Sequence, residues 1–239
     1  DRVRRAFYSD SASFSTSSEC LSRGEVVDFI NRYLTVLCDI IESYGGTIDK
    51  FEGDAIVAFF GAPIYYDDHS TRAVLSCIDQ QRELVELRKR WNQPGAIPPP
   101  LEELRDRWQG QGRTFAQVRI GVTTGPMIVG NMGSRSRTDY TMMGDTVNLA
   151  ARFESGQKIY GTDTMVNDVV HETVKNLVES RKLDLIQVMG KEEPVIAYEI
   201  LERKGELGED MMRVLELYNQ GMDAYEQFKF AEARKFFGQ

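Results

Sequence analysis

At 239 residues, 41% apolar and 28% charged, the chain is ordinary for a globular protein and long enough for one generous domain plus an appendage. Its net charge of −8 excludes a non-specific nucleic-acid binder, which needs a basic face to displace counterions from phosphates, yet leaves room for a local nucleotide site. Three scattered cysteines, Cys20, Cys38 and Cys77, build neither a disulfide framework nor a zinc cluster, and make the reducing cytoplasm the default location.

There is no run of apolar residues long enough to span a membrane, no signal peptide and no initiator Met. The chain therefore reads as a fragment of something larger, with any membrane contact confined to segments upstream. Its first residues, through Ala6-Phe7-Tyr8, form a strand-like run. Ser22-Arg23-Gly24-Glu25 is a capping box, with Leu21 and Val26 as the hydrophobic staple around it. Val26, Ile30, Tyr33, Leu34, Leu37, Ile40 and Ile41 then recur at helical spacing until Gly45-Gly46. Thr47 to Lys50 and Ala55 to Phe60 predict a hairpin through Phe51-Glu52-Gly53. A second helix is predicted from about Asp68 to Trp91, with Val74, Cys77, Ile78, Gln81, Leu84 and Arg88 on one face.

Residues 92 to 114 interrupt this pattern with Pro94-Gly95 and Pro98-Pro99-Pro100, and read as an excursion holding a short helix around Leu101 to Trp108. Two strands follow, Phe115 to Thr123 and Met127 to Asn131, joined through Thr124-Gly125-Pro126. After a loop at Gly133 to Arg137 come a short strand ending near Met143 and a helix from Asp145 that packs on Val147, Leu149, Ala150 and Phe153. Further strand-like runs lie at Leu183 to Val188 and Val195 to Ile200. Strands, helices and hairpins mixed in this way predict an α+β sandwich over residues 1–201. Residues 202–209 read as a linker and 210–239 as a helical tail. In that tail Leu217, Gly221, Ala224, Ala233 and Phe237 carry either the spacing of a truncated tetratricopeptide-like pair, open to a protein partner, or that of a plain amphipathic extension.

Four groups of residues carry the chemistry. Asp10 ends the first strand ahead of a small polar run that begins with Ser11, and Asp54 follows Gly53 at the hairpin tip. Two carboxylates on neighbouring strands can share divalent cations, although either one alone reads as a turn residue. Lys50 stands on the same hairpin. Asn148 and Arg152 are one helical turn apart, an amide and a guanidinium side by side for a negatively charged group. Lys191 lies beside a glycine turn in Val188-Met189-Gly190-Lys191.

Phe7-Tyr8-Ser9-Asp10 through Ser15, Asp49-Lys50-Phe51-Glu52-Gly53-Asp54-Ala55, Tyr140 through Arg152 and Val188 through Lys191 closely resemble the successive motifs of class III nucleotidyl cyclases, in the family's order, from about residue 3 to residue 200. The resemblance implies a ferredoxin-like βαββαβ core and the conversion of ATP to 3′,5′-cyclic AMP and pyrophosphate in cyclic-nucleotide signalling. It implies two Mg²⁺ or Mn²⁺ ions held by Asp10, Asp54 and the Ser11 carbonyl, with Asn148 orienting the ribose and Arg152 stabilising the transition state. It also implies a phosphate contact from Lys191, although Met189 departs from the Lys of many members, and leaves open whether Arg135 or Arg137 adds another. Lys50 and Thr141 match the base-recognising positions of adenylyl cyclases, where guanylyl cyclases usually carry Glu and Cys. Because the chain carries both half-sets, a homodimer with two shared sites is implied. The alternatives are a guanylyl cyclase, disfavoured by Lys50 and Thr141, and a non-catalytic cyclase-like module, disfavoured by retention of both acids with Asn148 and Arg152. A diguanylate cyclase is excluded because Gly45-Gly46 is followed by Thr47.

Overall fold

The computed structural model describes residues 2–12, 14–187 and 194–239. Strand β1 (Arg2–Ser11) leads through a short helix α1 (Phe14–Glu19) into α2 (Arg23–Ser43), then the hairpin β2 (Gly46–Glu52) and β3 (Ala55–Phe60). Helices α3 (His69–Trp91) and α4 (Pro99–Gly110) precede β4 (Val118–Gly133), β5 (Thr138–Met143) and α5 (Asp145–Tyr160). The chain continues through β6 (Thr164–Asn167), α6 (Asp168–Val174), β7 (Val178–Ile186) and β8 (Val195–Arg203) to α7 (Glu209–Glu226) and α8 (Phe230–Phe237). The strands form one sheet in the order β2-β3-β1-β4-β6-β8-β7, with β5 attached to β4. This is the expected α+β architecture.

Strand alternation sorts the sheet into two faces. Phe7, Ile56, Ala58, Phe60, Ile120 and Val122 point toward α2 and α3, where Phe29, Tyr33, Leu37 and Ile41 supply a stripe at every fourth residue. Burying each such large side chain contributes about 1.5–3 kcal/mol. The opposite face carries Ala6, Val57, Phe59, Met127 and Met142, covered by Ala150 of α5. Helix α5 lies almost on the backbone of β4: a Cβ on Gly121 would sit 2.2 Å from the Ala150 carbonyl oxygen, so only glycine permits this approach. The N-terminus of α2 is tied by the expected capping box, with the Ser22 N–H donating to Glu25 Oε2 at 2.9 Å and the Glu25 N–H donating to Ser22 Oγ at 3.4 Å.

Several boundaries differ from the sequence reading. Thr124-Gly125-Pro126 does not separate two strands; β4 is continuous because it changes partners along its length. Its first part pairs with β1 and its last residues, from Ile128, pair with β5. Pro126 is tolerated because β6 accompanies β4 only at Ile120 to Val122, so the missing N–H falls where that edge has no ladder to feed. Phe115 precedes the strand and instead joins Phe29, Trp91 and Trp108 in an aromatic cluster that anchors α4. The excursion is thus packed core, and its helix runs beyond the expected Leu101 to Trp108 at both ends. Strand β7 begins earlier than expected, and β8 runs to Arg203, into the expected linker.

The tail forms two helices, and α7 rests on β7. The Tyr218 hydroxyl donates to the Lys182 carbonyl at 2.8 Å, the Arg181 guanidinium lies 4.7 Å from the Tyr218 ring centroid, and Lys182 pairs with Glu226. Among the described residues, no helix is long and apolar enough to cross a membrane.

Candidate active site

The register of β1 against β3 pairs Ser9 with Ile56, which brings the next residue of β1, Asp10, to the same end as Asp54 at the start of β3. The two carboxyls act on each other. Burial, then the Asp54 charge, then that of Glu154 push the Asp10 carboxyl up to about 6, against the pull of Arg119 and the Ser11 N–H. Asp54 is also raised, chiefly by burial, while the Ser11 hydroxyl and N–H oppose the shift. One Asp54 oxygen, Oδ2, is buried without a hydrogen-bond partner. Such an oxygen facing a second carboxyl is costly unless a cation meets it. The donor set therefore fits a hard divalent ion, which takes oxygen ligands. Among the described residues no group of three or more His, Cys, Asp or Glu side chains is placed to hold a metal.

Beneath this pair, Arg119 and Glu154 form a buried ion pair at 2.9 Å. Asp10 is the register partner of Arg119, and Glu154 projects from α5. Removing one partner of such a pair costs about 3–5 kcal/mol because the other charge is left desolvated. The sequence reading did not single out either residue; their separation in the chain conceals the pairing.

A second group forms where β2 approaches β5. The Thr141 hydroxyl donates to Asp49 Oδ2 at 2.7 Å, and Lys50 Nζ lies 3.8 Å from the same oxygen. Lys50 is half exposed, whereas the Asp49 side chain is only 2% exposed. A β-bulge explains this: the β2–β3 register shifts between Ile48 and Lys50, leaving Asp49 as the extra residue. A bulge re-aims its side chain out of the strand alternation. Asp49 lies within the cyclase-like run Asp49 to Ala55, and nothing in the sequence marks a bulge there.

The third group is on α5, where Asn148 and Arg152 share an exposed stripe one turn apart while Leu149, Ala150 and Phe153 are buried on the other side. The strongest charged neighbours of Asp10 are Asp54, Glu154 and Arg119. The structure thus joins Asp10, Ser11 and Asp54 in one set and Lys50 with Thr141 in another, and carries Asn148 and Arg152 on the exposed side of α5. In the loop before β5, Ser134 Oγ accepts from the N–H groups of Ser136 and Arg137, and the Arg137 guanidinium lies 3.9 Å from Asp139. Lys191 and its motif from Val188 lie outside the described residues.

Residues 5–202 match the family described as the adenylate and guanylate cyclase catalytic domain, and the chain belongs to that family. Adenylate cyclase 1 of Rhizobium meliloti (strain 1021) is 29% identical over 196 residues, which is 82% of this chain but 27% of that protein's length. The crystal structure of the adenylyl cyclase CyaB from P. aeruginosa superposes with a TM-score of 0.68 at 30% identity, covering 87% of this chain and 98% of that one. The guanylyl cyclase Cya2 superposes with a TM-score of 0.65, also at 30% identity, over 87% of this chain and 95% of that one. The fold therefore does not choose the base, and that choice rests on side chains.

Proposed function

We propose that this chain is an adenylate cyclase catalytic unit that converts ATP to 3′,5′-cyclic AMP and pyrophosphate at sites shared across a homodimer. The observation that carries this reading is the Asp10–Asp54 pair, two half-buried carboxyls with raised proton affinity and one buried oxygen without a hydrogen-bond partner. Asp10, Asp54 and the Ser11 carbonyl would hold Mg²⁺ or Mn²⁺, two ions per site; when bound, the metal neutralises the triphosphate and acidifies the ribose 3′-hydroxyl.

The other roles belong to the chain's own groups. Asn148 orients the ribose so that the 3′-oxygen stands in line with the α-phosphorus and the departing pyrophosphate. Arg152 donates to the α-phosphoryl oxygens, where charge grows in the transition state. Lys191 contacts a phosphate, and Lys50 with Thr141 reads the base. The exposure of Asn148 and Arg152 supports supply of the acids by one subunit and of the α5 pair by its partner. The catalytic region ends with β8, and α7 with α8, docked on β7 through Tyr218 and Glu226, is available to a protein partner.

Mixing two inactive variants tests the shared site. Asp54→Ala and Arg152→Ala homodimers are each expected to lose activity, by on the order of 10²-fold or more for the arginine. In a mixed dimer one site inherits both lesions and the other inherits neither. With random exchange of equal amounts, activity should recover to about a quarter of wild type. Complete exchange, verified by pull-down of a tagged subunit, with no recovered activity would overturn the division of the site between chains.

A further inference from the structure

We infer that Asp49 is a positioning residue for base selection, holding Thr141 as a hydrogen-bond acceptor so that the site takes a 6-amino purine and rejects a 6-oxo purine. This deepens the proposed function and rests on its assignment of Lys50 and Thr141 to the base. A threonine hydroxyl can either donate or accept, so Thr141 alone does not discriminate at the 6-position of a purine. Adenine presents an N–H₂ donor there and guanine presents an oxygen acceptor.

Asp49 removes the ambiguity. An ionised carboxylate only accepts, so the 2.7 Å contact commits the Thr141 proton to Asp49 Oδ2 and leaves the hydroxyl's lone pairs facing outward. Those lone pairs suit an amino group and repel a carbonyl oxygen. The same Asp49 oxygen lies 3.8 Å from Lys50 Nζ, which keeps further donors for the acceptor N1 of adenine. The Asp49 oxygen thus fixes the polarity of Thr141 and lies beside Lys50, whose ammonium only donates. The placement is specific to the bulge between Ile48 and Lys50: regular alternation would send residues 49 and 50 to opposite faces of the strand. Asp49 touches no substrate in this scheme; it acts through Thr141.

The test measures kcat/KM for ATP and inosine triphosphate, which differ at the 6-position and at N1, in wild type, Asp49→Ala, Thr141→Val and the double variant. Asp49→Ala should lower the ATP-to-inosine-triphosphate preference by about tenfold, the net worth of one oriented hydrogen bond. In the Thr141→Val background the same substitution should change that preference less than about twofold, because the group it orients is gone. Purine riboside triphosphate, with no group at the 6-position, should show little change between wild type and Asp49→Ala. If Thr141→Val shifts the preference but Asp49→Ala does not, or if the two effects simply add, the inference falls while the base-reading role of Thr141 stands. If Thr141→Val itself leaves the preference unchanged, both fall. Should Asp49→Ala fail to fold by thermal melt, Asp49→Leu keeps much of the volume and offers Thr141 no acceptor. It should lower the preference at least about threefold, and an unchanged preference in that variant overturns the inference.

Discussion

Two carboxylates on the β2–β3 hairpin, Asp49 and Asp54, lie close in sequence and differ in almost every physical respect. Asp49 is turned inward by a bulge and its oxygen is met by the Thr141 hydroxyl and the Lys50 ammonium. Asp54 lies just past the Gly53 turn, beside Asp10, with a buried oxygen that meets nothing. The Asp49 carboxylate has its partners, whereas Asp54 keeps one buried oxygen unpartnered, a cost that the proposed cation would relieve. Charge in a sequence does not distinguish these two states. Only the partners do.

The largest expected effect comes from removing the unsatisfied acid. Asp54→Ala should lower metal-dependent cyclase turnover on the order of 10³-fold while the circular-dichroism spectrum holds and the metal-free melting temperature does not fall, since the substitution removes a charge that opposes Asp10. Activity kept within a few-fold would sink the two-metal assignment.

Changing the groups around the satisfied acid should act on selectivity instead. Lys50→Glu with Thr141→Cys replaces the donor and the oriented hydroxyl at the base edge. The preference for ATP over GTP should fall by about tenfold or more, with most of the loss in ATP use. An unchanged ratio in steady-state assays with both nucleotides would remove Lys50 and Thr141 from base recognition.

The smallest effect is on stability, and its sign follows from the acid pair. The Asp10 carboxyl is raised from its ordinary 3.8 to about 6 by burial and by the Asp54 charge, so the folded chain holds this proton more tightly than the unfolded chain does. Its contribution to stability is therefore full below about pH 4 and is lost as pH rises through about 6. Asp10→Asn has no proton to lose. The melting temperature of the variant minus that of wild type should increase between pH 4 and pH 7 by about 2–4 °C without added metal. A difference that stays flat across that range would mean the pair does not carry the strain described here.

Much of the scaffold was legible because local signals coincided with burial. The Ser22–Glu25 capping box and the apolar period from Val26 to Ile41 marked α2, and the closed capping box in the structure matches them. The short β-prone runs flanking Gly53 marked the hairpin, and the helix beginning at Asp145 started where expected. The elements that escaped notice were short or context-dependent. Strand β6 is four buried residues and α6 is seven, too few to show a period. Thr124-Gly125-Pro126 carries the chemistry of a turn, yet pairing with β1 holds it extended.

The site divides in the same way. Asp10, Asp54, Lys50, Thr141, Asn148 and Arg152 could be nominated from sequence, because residue type and motif order are written there. The structure added the residues that act on them: Asp49 behind Thr141, and the Arg119–Glu154 pair under Asp10. These partners are far apart in the chain and meet only through sheet register, a bulge and the close seat of α5 on Gly121. The sequence by itself determined which side chains are available and which local elements carry them, since capping, periodicity and turn chemistry act over a few residues. Tertiary structure alone decided which carboxylate is satisfied and which is not, because desolvation and hydrogen bonding depend on neighbours that the chain brings together only when it folds.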